Sequence, residues 1–590
     1  MTKNIIHIRT LLLLLAVMAL LPGCQRKQSG TEHLIIVQTS DIHGAIFPYD
    51  FTLDSASQGS LAQVHQLVDS LRRNHPGALI LLDNGDLIQG DPSSHYYNFI
   101  QTDSIHLFSR ALNFMGYDAA TMGNHDLEGG HAVYDRMVAA SQFPWLGANI
   151  LRTSDSIPYF KPYHILQLGD LKVAVLGLIT PQVPQWLPSF LYEGMYFDDM
   201  VASAQKWADI IERDEQPDIL IGLFHAGVDT SAKGHIAFAE HASAAVAAKV
   251  AGFDLILAGH DHRGWNIRVP GPEGDSVLIL APASRGRDVV VAELEIQRKN
   301  KQIISKRWNA RRVSIEGIPP NPAFMKQFEA DYENIRSYVA DTLAWLQQPL
   351  PFQPALFGPS AAVDLIHEVQ LDASGAQISF AASMSYEGSL AAGPVCVRDL
   401  FRLYRYENYL YVMELSGQEV DQFLEYACGR WYAQMHTEED DLLQYQYDGA
   451  GNISRRGKYP ATVEPFYNYS TAAGIRYTVD VRRPAGDRVE ILSFENGDPF
   501  RADARYRVAI NSYRAHGGGG HLTQGSGIVR DSLPGRIVWS SDSEIRSLMA
   551  AWFRKTANVH PKARGNWSVV PATWHKAAVQ RETERWSIPE

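Results

Sequence analysis

Five short polar clusters stand out in the first half of the chain: Asp41-Ile42-His43, Asn84-Gly85-Asp86, Gly123-Asn124-His125-Asp126, Phe224-His225-Ala226-Gly227 and Gly259-His260-Asp261-His262. Together they offer Asp41, His43, Asp86, Asn124, His225, His260 and His262. Such carboxylate, amide and imidazole donors suit Zn²⁺, Mn²⁺ or Fe better than Ca²⁺ or Mg²⁺, which prefer oxygen alone. Singly, each cluster has a plain structural reading: Gly-Asn-His-Asp is a turn, and a lone histidine after an apolar run is a satisfied core residue. Five in order, each closing an apolar run or its adjoining turn, are hard to explain by packing.

The elements that must position these donors are short, β-branched and apolar: LIIVQTS, ALILLDNGD, KVAVLGLIT, DILIGLFHAG, FDLILAGHDH and SVLILAPAS. They turn polar only at their C-terminal ends and are separated by amphipathic stretches such as 60–74 and 200–213, which predicts α/β architecture. Ligands in such sheets bind at the carboxyl ends of the strands, where the clusters fall.

The pattern breaks at EGIPPNP, residues 316–322, and 323–347 then read as one solvated helix carrying Lys326, Glu329, Asp331, Glu333 and Arg336. The expected division is a leader over 1–24, a catalytic domain over 30–320, a linker helix over 321–347, a second domain over 348–570 with a helix near 416–430, and a tail over 571–590.

Composition narrows the function classes. Hydrophobic residues make up 45% of the 590 and charged ones 20%, which fits a folded soluble body and excludes a polytopic membrane protein. The 53 Lys and Arg against 65 Asp and Glu give a net charge of −12, the wrong sign for gripping a nucleic-acid polymer. Three cysteines are too few for a disulfide scaffold. Cys396 and Cys428 read as core thiols. Cys24 follows a short basic segment and the apolar run Leu11 to Leu21, shorter than the roughly 20 residues that span a bilayer. Leu21-Pro22-Gly23-Cys24 resembles a bacterial lipobox, so the expectation is a periplasmic or surface lipoprotein of the cell envelope, monomeric and tethered by a lipid on Cys24.

The five clusters, as they stand, resemble the calcineurin-like metallophosphoesterase signature DxH, GD, GNH[DE], H and GHxH. TSDIHGAIFPYDF, DNGDLIQGDP, LYRYENYLYVMELSGQEVDQFLEYACG and NSYRAHGGGGH further resemble the bacterial 5′-nucleotidase family, in particular its 2′,3′-cyclic-nucleotide 2′-phosphodiesterase/3′-nucleotidase branch, over roughly residues 33–530. The resemblance implies a four-layer αββα catalytic domain with two divalent ions (Zn, Mn, Co or Fe), joined by a helix to an α+β nucleoside-binding domain.

Carried over by motif, Asp41, His43, Asp86 and His262 hold one ion and Asp86, Asn124, His225 and His260 the other, with Asp86 bridging. Two ions carry +4 against −2 from Asp41 and Asp86, a site that attracts a phosphate dianion and stabilises charge on the phosphoryl oxygens. The implied mechanism is in-line attack by a metal-bridged hydroxide. His125 faces the transferring phosphoryl group. Glu128 occupies the place from which an acidic residue pairs with that histidine in relatives, so His125 and Glu128 are the catalytic pair to test.

In the second domain the resemblance implies a base sandwiched between Tyr406 and Tyr469, with Asn511, Gly517, Gly518 and Gly519 around the nucleoside. Core packing competes for both tyrosines, and neighbouring Tyr404, Tyr467 and Tyr477 are alternatives. The stretch FAASMSYEGSLAAG lacks the arginine usual in 5′-nucleotidases. That favours a cyclic or 3′-mononucleotide substrate over a 5′-nucleotidase or UDP-sugar hydrolase activity. A non-catalytic nucleoside- or metal-binding lipoprotein is the alternative of another class, and it would be marked by a lost ligand or a lost His125.

Overall fold

The computed structural model describes residues 29–231, 236–299 and 302–587. The lipobox and Cys24 lie outside them. No helix among the described residues is long and apolar enough to cross a membrane.

Two six-stranded sheets carry the first domain. One runs in the order Gln302–Ser314, Asp288–Lys299, Ser29–Thr39, Leu79–Asp83, Ala119–Thr121, Trp145–Leu146, and the other Trp265–Pro270, Ser276–Ala281, Leu255–Ala258, Ile219–His225, Leu171–Ile179, Tyr163–Leu168. The strands that precede the donor clusters pair in parallel. Because side chains alternate along a strand, Leu34 and Ile36 meet Val175, Ile221 and Leu257 between the sheets, while Ile35 and Val37 face a helical layer. On the other sheet Ile219 and Ile221 point inward, and Leu220 and Phe224 meet Ala204, Ile211 and Val246 of the opposite helical layer. Burial of both faces is why these strands read as unbroken apolar runs.

Helix Leu61–Asn74 shows the local logic: the Ser60 side chain accepts the Gln63 amide as an N-cap, and Leu61, Val64 and Val68 fall on the buried face. The result is the expected αββα sandwich, with all the donor-bearing strands ending at one edge.

The second domain is built on a mixed five-stranded sheet in the order Ser470–Ala473, Ile378–Ala382, Arg505–Asn511, Tyr409–Ser416, Ile537–Glu544. Helix Gly417–Trp431 covers one face, and helices Ala361–Ser374 and Ile545–Thr556 the other. Cys428 is buried in this domain's core and Cys396 is half-buried, and both are free thiols.

Two expectations are corrected. The single solvated helix over 323–347 is two helices, Pro322–Gln327 and Glu329–Ala340, after which Thr342–Leu346 is a strand paired with Gly393–Cys396. Ala344 and Leu346 are buried there with exposed Trp345 between them, an alternation that suits a strand. Nor is the helix merely solvated, since Ile335 and Val339 join the first domain's core and Arg110 pairs with Asp331. The tail over 571–590 contains helix Ala572–Trp586, which docks on the second domain through buried Glu582 and Trp586. Glu582 accepts the Leu442 amide and the Tyr445 hydroxyl, each at 2.5 Å.

Candidate metal centre and facing aromatic wall

The parallel strands deliver their C-terminal ends, and with them the donors, to one place. Asp41, His43, Asp86 and His262 bring ligand-capable atoms within 4.8 Å of one another, and so do Asp86, His225 and His260, with Asp86 common to both groups. Asn124 belongs to the second group, its Oδ1 lying 3.2 Å from His225 Nε2. All seven residues singled out by spacing therefore meet.

The backbone is bent to achieve this. Asp41, His43, Asp86, His260 and His262 adopt left-handed conformations, with φ of 53°, 47°, 55°, 72° and 57°. Such strain in residues with side chains persists where the surroundings enforce it, and it clusters at functional sites. Asp126 supplies part of the enforcement: its carboxylate accepts the amides of Asp86, Leu87, Ile88 and Gly123, tying two donor loops together. Gly123 must be glycine, because a Cβ there would lie 2.2 Å from the Asp86 nitrogen.

Hydrogen bonds on the outer nitrogens orient the imidazoles. His225 donates from Nδ1 to the Asn84 carbonyl at 2.6 Å, which leaves Nε2 facing Asp86 Oδ2 at 3.2 Å. His43 donates from Nδ1 to Gln89 Oε1 at 3.1 Å, leaving Nε2 2.9 Å from His262 Nε2. His260 donates from Nε2 to Glu240 at 3.0 Å, and its buried Nδ1 has no hydrogen-bond partner. A nitrogen left unpaired beside Asp86 and His225, and imidazole nitrogens turned toward each other beside two carboxylates, fit divalent cations. Burial holds the His43 imidazolium down at about 4, against the opposing pull of Asp86, so that ring is neutral and able to ligate.

His125 stands beside the donors. Its Nδ1 donates to Glu128 Oε1 at 2.6 Å, so Glu128 does reach it. Burial disfavours the imidazolium, but Glu128 and Asp86 outweigh burial and raise its pKa to about 10.

His125, Glu128, Trp186 and His260 line one cavity with Tyr406, Glu407, Tyr467, Asn511 and Tyr513 of the second domain. The metal-type edge thus looks directly at an aromatic wall. Tyr406 lines this cavity, and its ring meets Tyr467 edge-on, 6.2 Å between centroids. Tyr469 does not belong to the wall: it is 3% exposed, stacks on Trp431 at 5.3 Å and bonds to the Tyr432 hydroxyl at 2.8 Å. Phe466–Asn468 form a 3₁₀ turn, and it is Tyr467 that lines the cavity.

The glycine run is also reassigned. Asn511 lines the cavity, whereas Gly517, Gly518 and Gly519 are absent from its lining and pack within their own domain. A Cβ on Gly518 would lie 2.5 Å from the Tyr513 carbonyl, and one on Gly519 2.1 Å from the Arg514 guanidinium. These glycines let the turn pass close to Tyr513 and Arg514. Spacing alone also missed Gln89, Glu240 and Glu407, since single polar residues carry no pattern.

Comparison with known proteins agrees with this geometry. Residues 34–264 match the calcineurin-like phosphoesterase family and residues 343–524 match the 5′-nucleotidase C-terminal domain. The trifunctional nucleotide phosphoesterase protein YfkN of Bacillus subtilis is 26% identical over 92% of this chain, and this chain spans 39% of that protein's length. A 2′,3′-cyclic-nucleotide 2′-phosphodiesterase/3′-nucleotidase of Salmonella typhimurium is 26% identical over 92% of this chain and 90% of its own. A Staphylococcus aureus structure solved with α-ketoglutarate superposes with a TM-score of 0.73 at 20% identity, covering 91% of this chain and 100% of that one, which establishes the shared fold.

Proposed function

Because this chain belongs to the 5′-nucleotidase family of metallophosphoesterases, we propose that it hydrolyses phosphate esters of mononucleotides, with 2′,3′-cyclic nucleotides and 3′-nucleotides as its substrates. The observation that carries this reading is the single cavity with metal-type donors and His125 on one wall and Tyr406 and Tyr467 on the other.

Asp41, His43, Asp86 and His262 would hold one divalent ion and Asp86, Asn124, His225 and His260 the other. When bound, such ions polarise phosphoryl oxygens and lower the pKa of water toward neutrality. His125, with Nδ1 held by Glu128, presents Nε2 to the cavity as a proton donor toward a phosphoryl or leaving oxygen. Glu128 acts through His125, fixing its ring and favouring its charged form. Tyr406 and Tyr467 offer faces and edges to a base, a sequence-tolerant contact of about 1–3 kcal/mol per base. Trp186 and Leu187 narrow the cavity from the first domain.

The segment over 380–393 contains no arginine, and the cavity's Arg514 is committed to the Gly518 and Tyr467 carbonyls at 3.0 and 2.9 Å. This favours the cyclic and 3′ substrates. The match to the 5′-nucleotidase C-terminal domain supports a second reading, 5′-nucleotide or UDP-sugar hydrolysis. Phosphate release from 2′,3′-cyclic AMP, 3′-AMP and 5′-AMP with Mn²⁺, Co²⁺ or Zn²⁺ separates the readings. Faster release from the first two supports the proposal, a lead for 5′-AMP the second reading, and inactivity on all three contradicts both.

A further inference from the structure

A buried polar chain runs from the candidate metal centre into the second domain. His43 donates from Nδ1 to Gln89 Oε1 at 3.1 Å, and Gln89 Nε2 donates to Glu407 Oε2 at 3.2 Å. The other oxygen of Glu407 accepts from Arg546 Nη1 and Nη2 at 3.0 and 3.1 Å. His43, Gln89, Glu407 and Arg546 are 7%, 6%, 8% and 1% exposed, so water does not readily replace any of these partners. Arg546 is itself pinned: it donates to the Tyr404 and Arg405 carbonyls at 3.0 and 3.2 Å and lies 4.0 Å above the Phe401 ring.

The direction of this chain is fixed. A carboxylate paired with arginine only accepts, so Gln89 must turn its NH₂ group to Glu407 and its carbonyl to His43. A carbonyl only accepts, so the proton of neutral His43 must sit on Nδ1. That leaves the lone pair on Nε2, the nitrogen facing His262. Flipping Gln89 would oppose two acceptors at Glu407 and would move the His43 proton to Nε2.

We propose that Glu407, a residue of the second domain, sets the tautomer of the metal-ligand candidate His43 through the Gln89 amide, so that the first metal site is complete only when the two domains are docked. Gln89 and Glu407 are positioning residues in this account. Glu407 follows Tyr406 directly in sequence, so the segment that supplies an aromatic face to the nucleoside also finishes a metal site in the other domain. Ligand binding that favours docking then favours metal binding, and by linkage the converse holds. The inference rests on the reading of His43 as a ligand.

The test titrates the chelator-stripped full-length chain with Mn²⁺ by calorimetry, which requires no turnover. Glu407→Gln keeps an oxygen for Arg546 but turns an NH₂ group on Gln89, so one of the two Mn²⁺ affinities should fall about tenfold, as for loss of other partners of metal-bound histidines. Adding Gln89→Glu reverses the polarity, because a carboxylate at 89 accepts from both His43 Nδ1 and the amide at 407. The double variant should recover affinity to within about threefold of the parent, a rescue that a merely structural role for Glu407 would not give. Circular dichroism and melting temperature check that each variant is folded. An unchanged Mn²⁺ affinity in Glu407→Gln, or a double variant no better than that single one, overturns the relay while leaving the metal centre standing. A parent chain that binds no Mn²⁺ overturns both.

Discussion

The metal-type edge of the first domain and the aromatic wall of the second face each other across one cavity, yet they are specified in different ways. The edge is made of residue types that a core rarely needs, set at strand ends on strained backbone: five of its donors have φ between 47° and 72°. The wall is made of tyrosines, which serve equally as core filler. Tyr467 lines the cavity and Tyr469, two positions on, stacks on Trp431 in the interior. Chemistry that needs rare donors writes itself into sequence, whereas stacking chemistry is separated from packing only by which way a side chain points.

Breaking the edge should be the larger insult. Asp86→Ala removes the one carboxylate shared by both donor groups, and turnover should fall by more than about 10³-fold, with metal analysis showing ions lost. His125→Ala should keep the metal content and lose about 10²–10³-fold in kcat. Metal loss in that variant would make His125 a ligand and refute the division of roles. Glu128→Gln keeps the size of the side chain but weakens the grip on His125 Nδ1, for an expected loss of about tenfold in kcat at full metal occupancy.

Breaking the wall should divide by burial. Tyr467→Ala should raise KM about tenfold through lost stacking and leave the melting temperature nearly unchanged. Tyr469→Ala should do the reverse: a stability loss of about 3 kcal/mol from the emptied core, read by denaturant unfolding, with KM little altered. Equal KM effects from the two would mean that Tyr467 and Tyr469 do not differ in role.

The same difference governs how much was legible in advance. The α/β architecture and the seven candidate donors were read from apolar runs that turn polar at one end, and the αββα layering from the family resemblance. Strand Thr342–Leu346 was hidden because its residues continue the helix-compatible composition before it, and its partners, Gly393–Cys396 and Asn558–Val559, are distant in sequence. The docking of the C-terminal helix depends on Glu582 finding Leu442 and Tyr445, again a long-range pairing. Gln89 was invisible for a related reason, and the role of Asp126, though the residue stands in the third cluster, was too. The importance of each lies in which backbone amides or imidazole it meets, and that is a property of the folded loops.

The net charge of −12 and the proposed affinity for a phosphate dianion are compatible, since the positive charge would be local and supplied by bound ions. The most direct test of the central claim is therefore stoichiometric. Phosphate release from 3′-AMP is measured while a metal-free chain is loaded with Mn²⁺ in known equivalents. Activity should continue to rise until two ions are bound per chain. Full activity at one ion, or release independent of added metal, would contradict that claim.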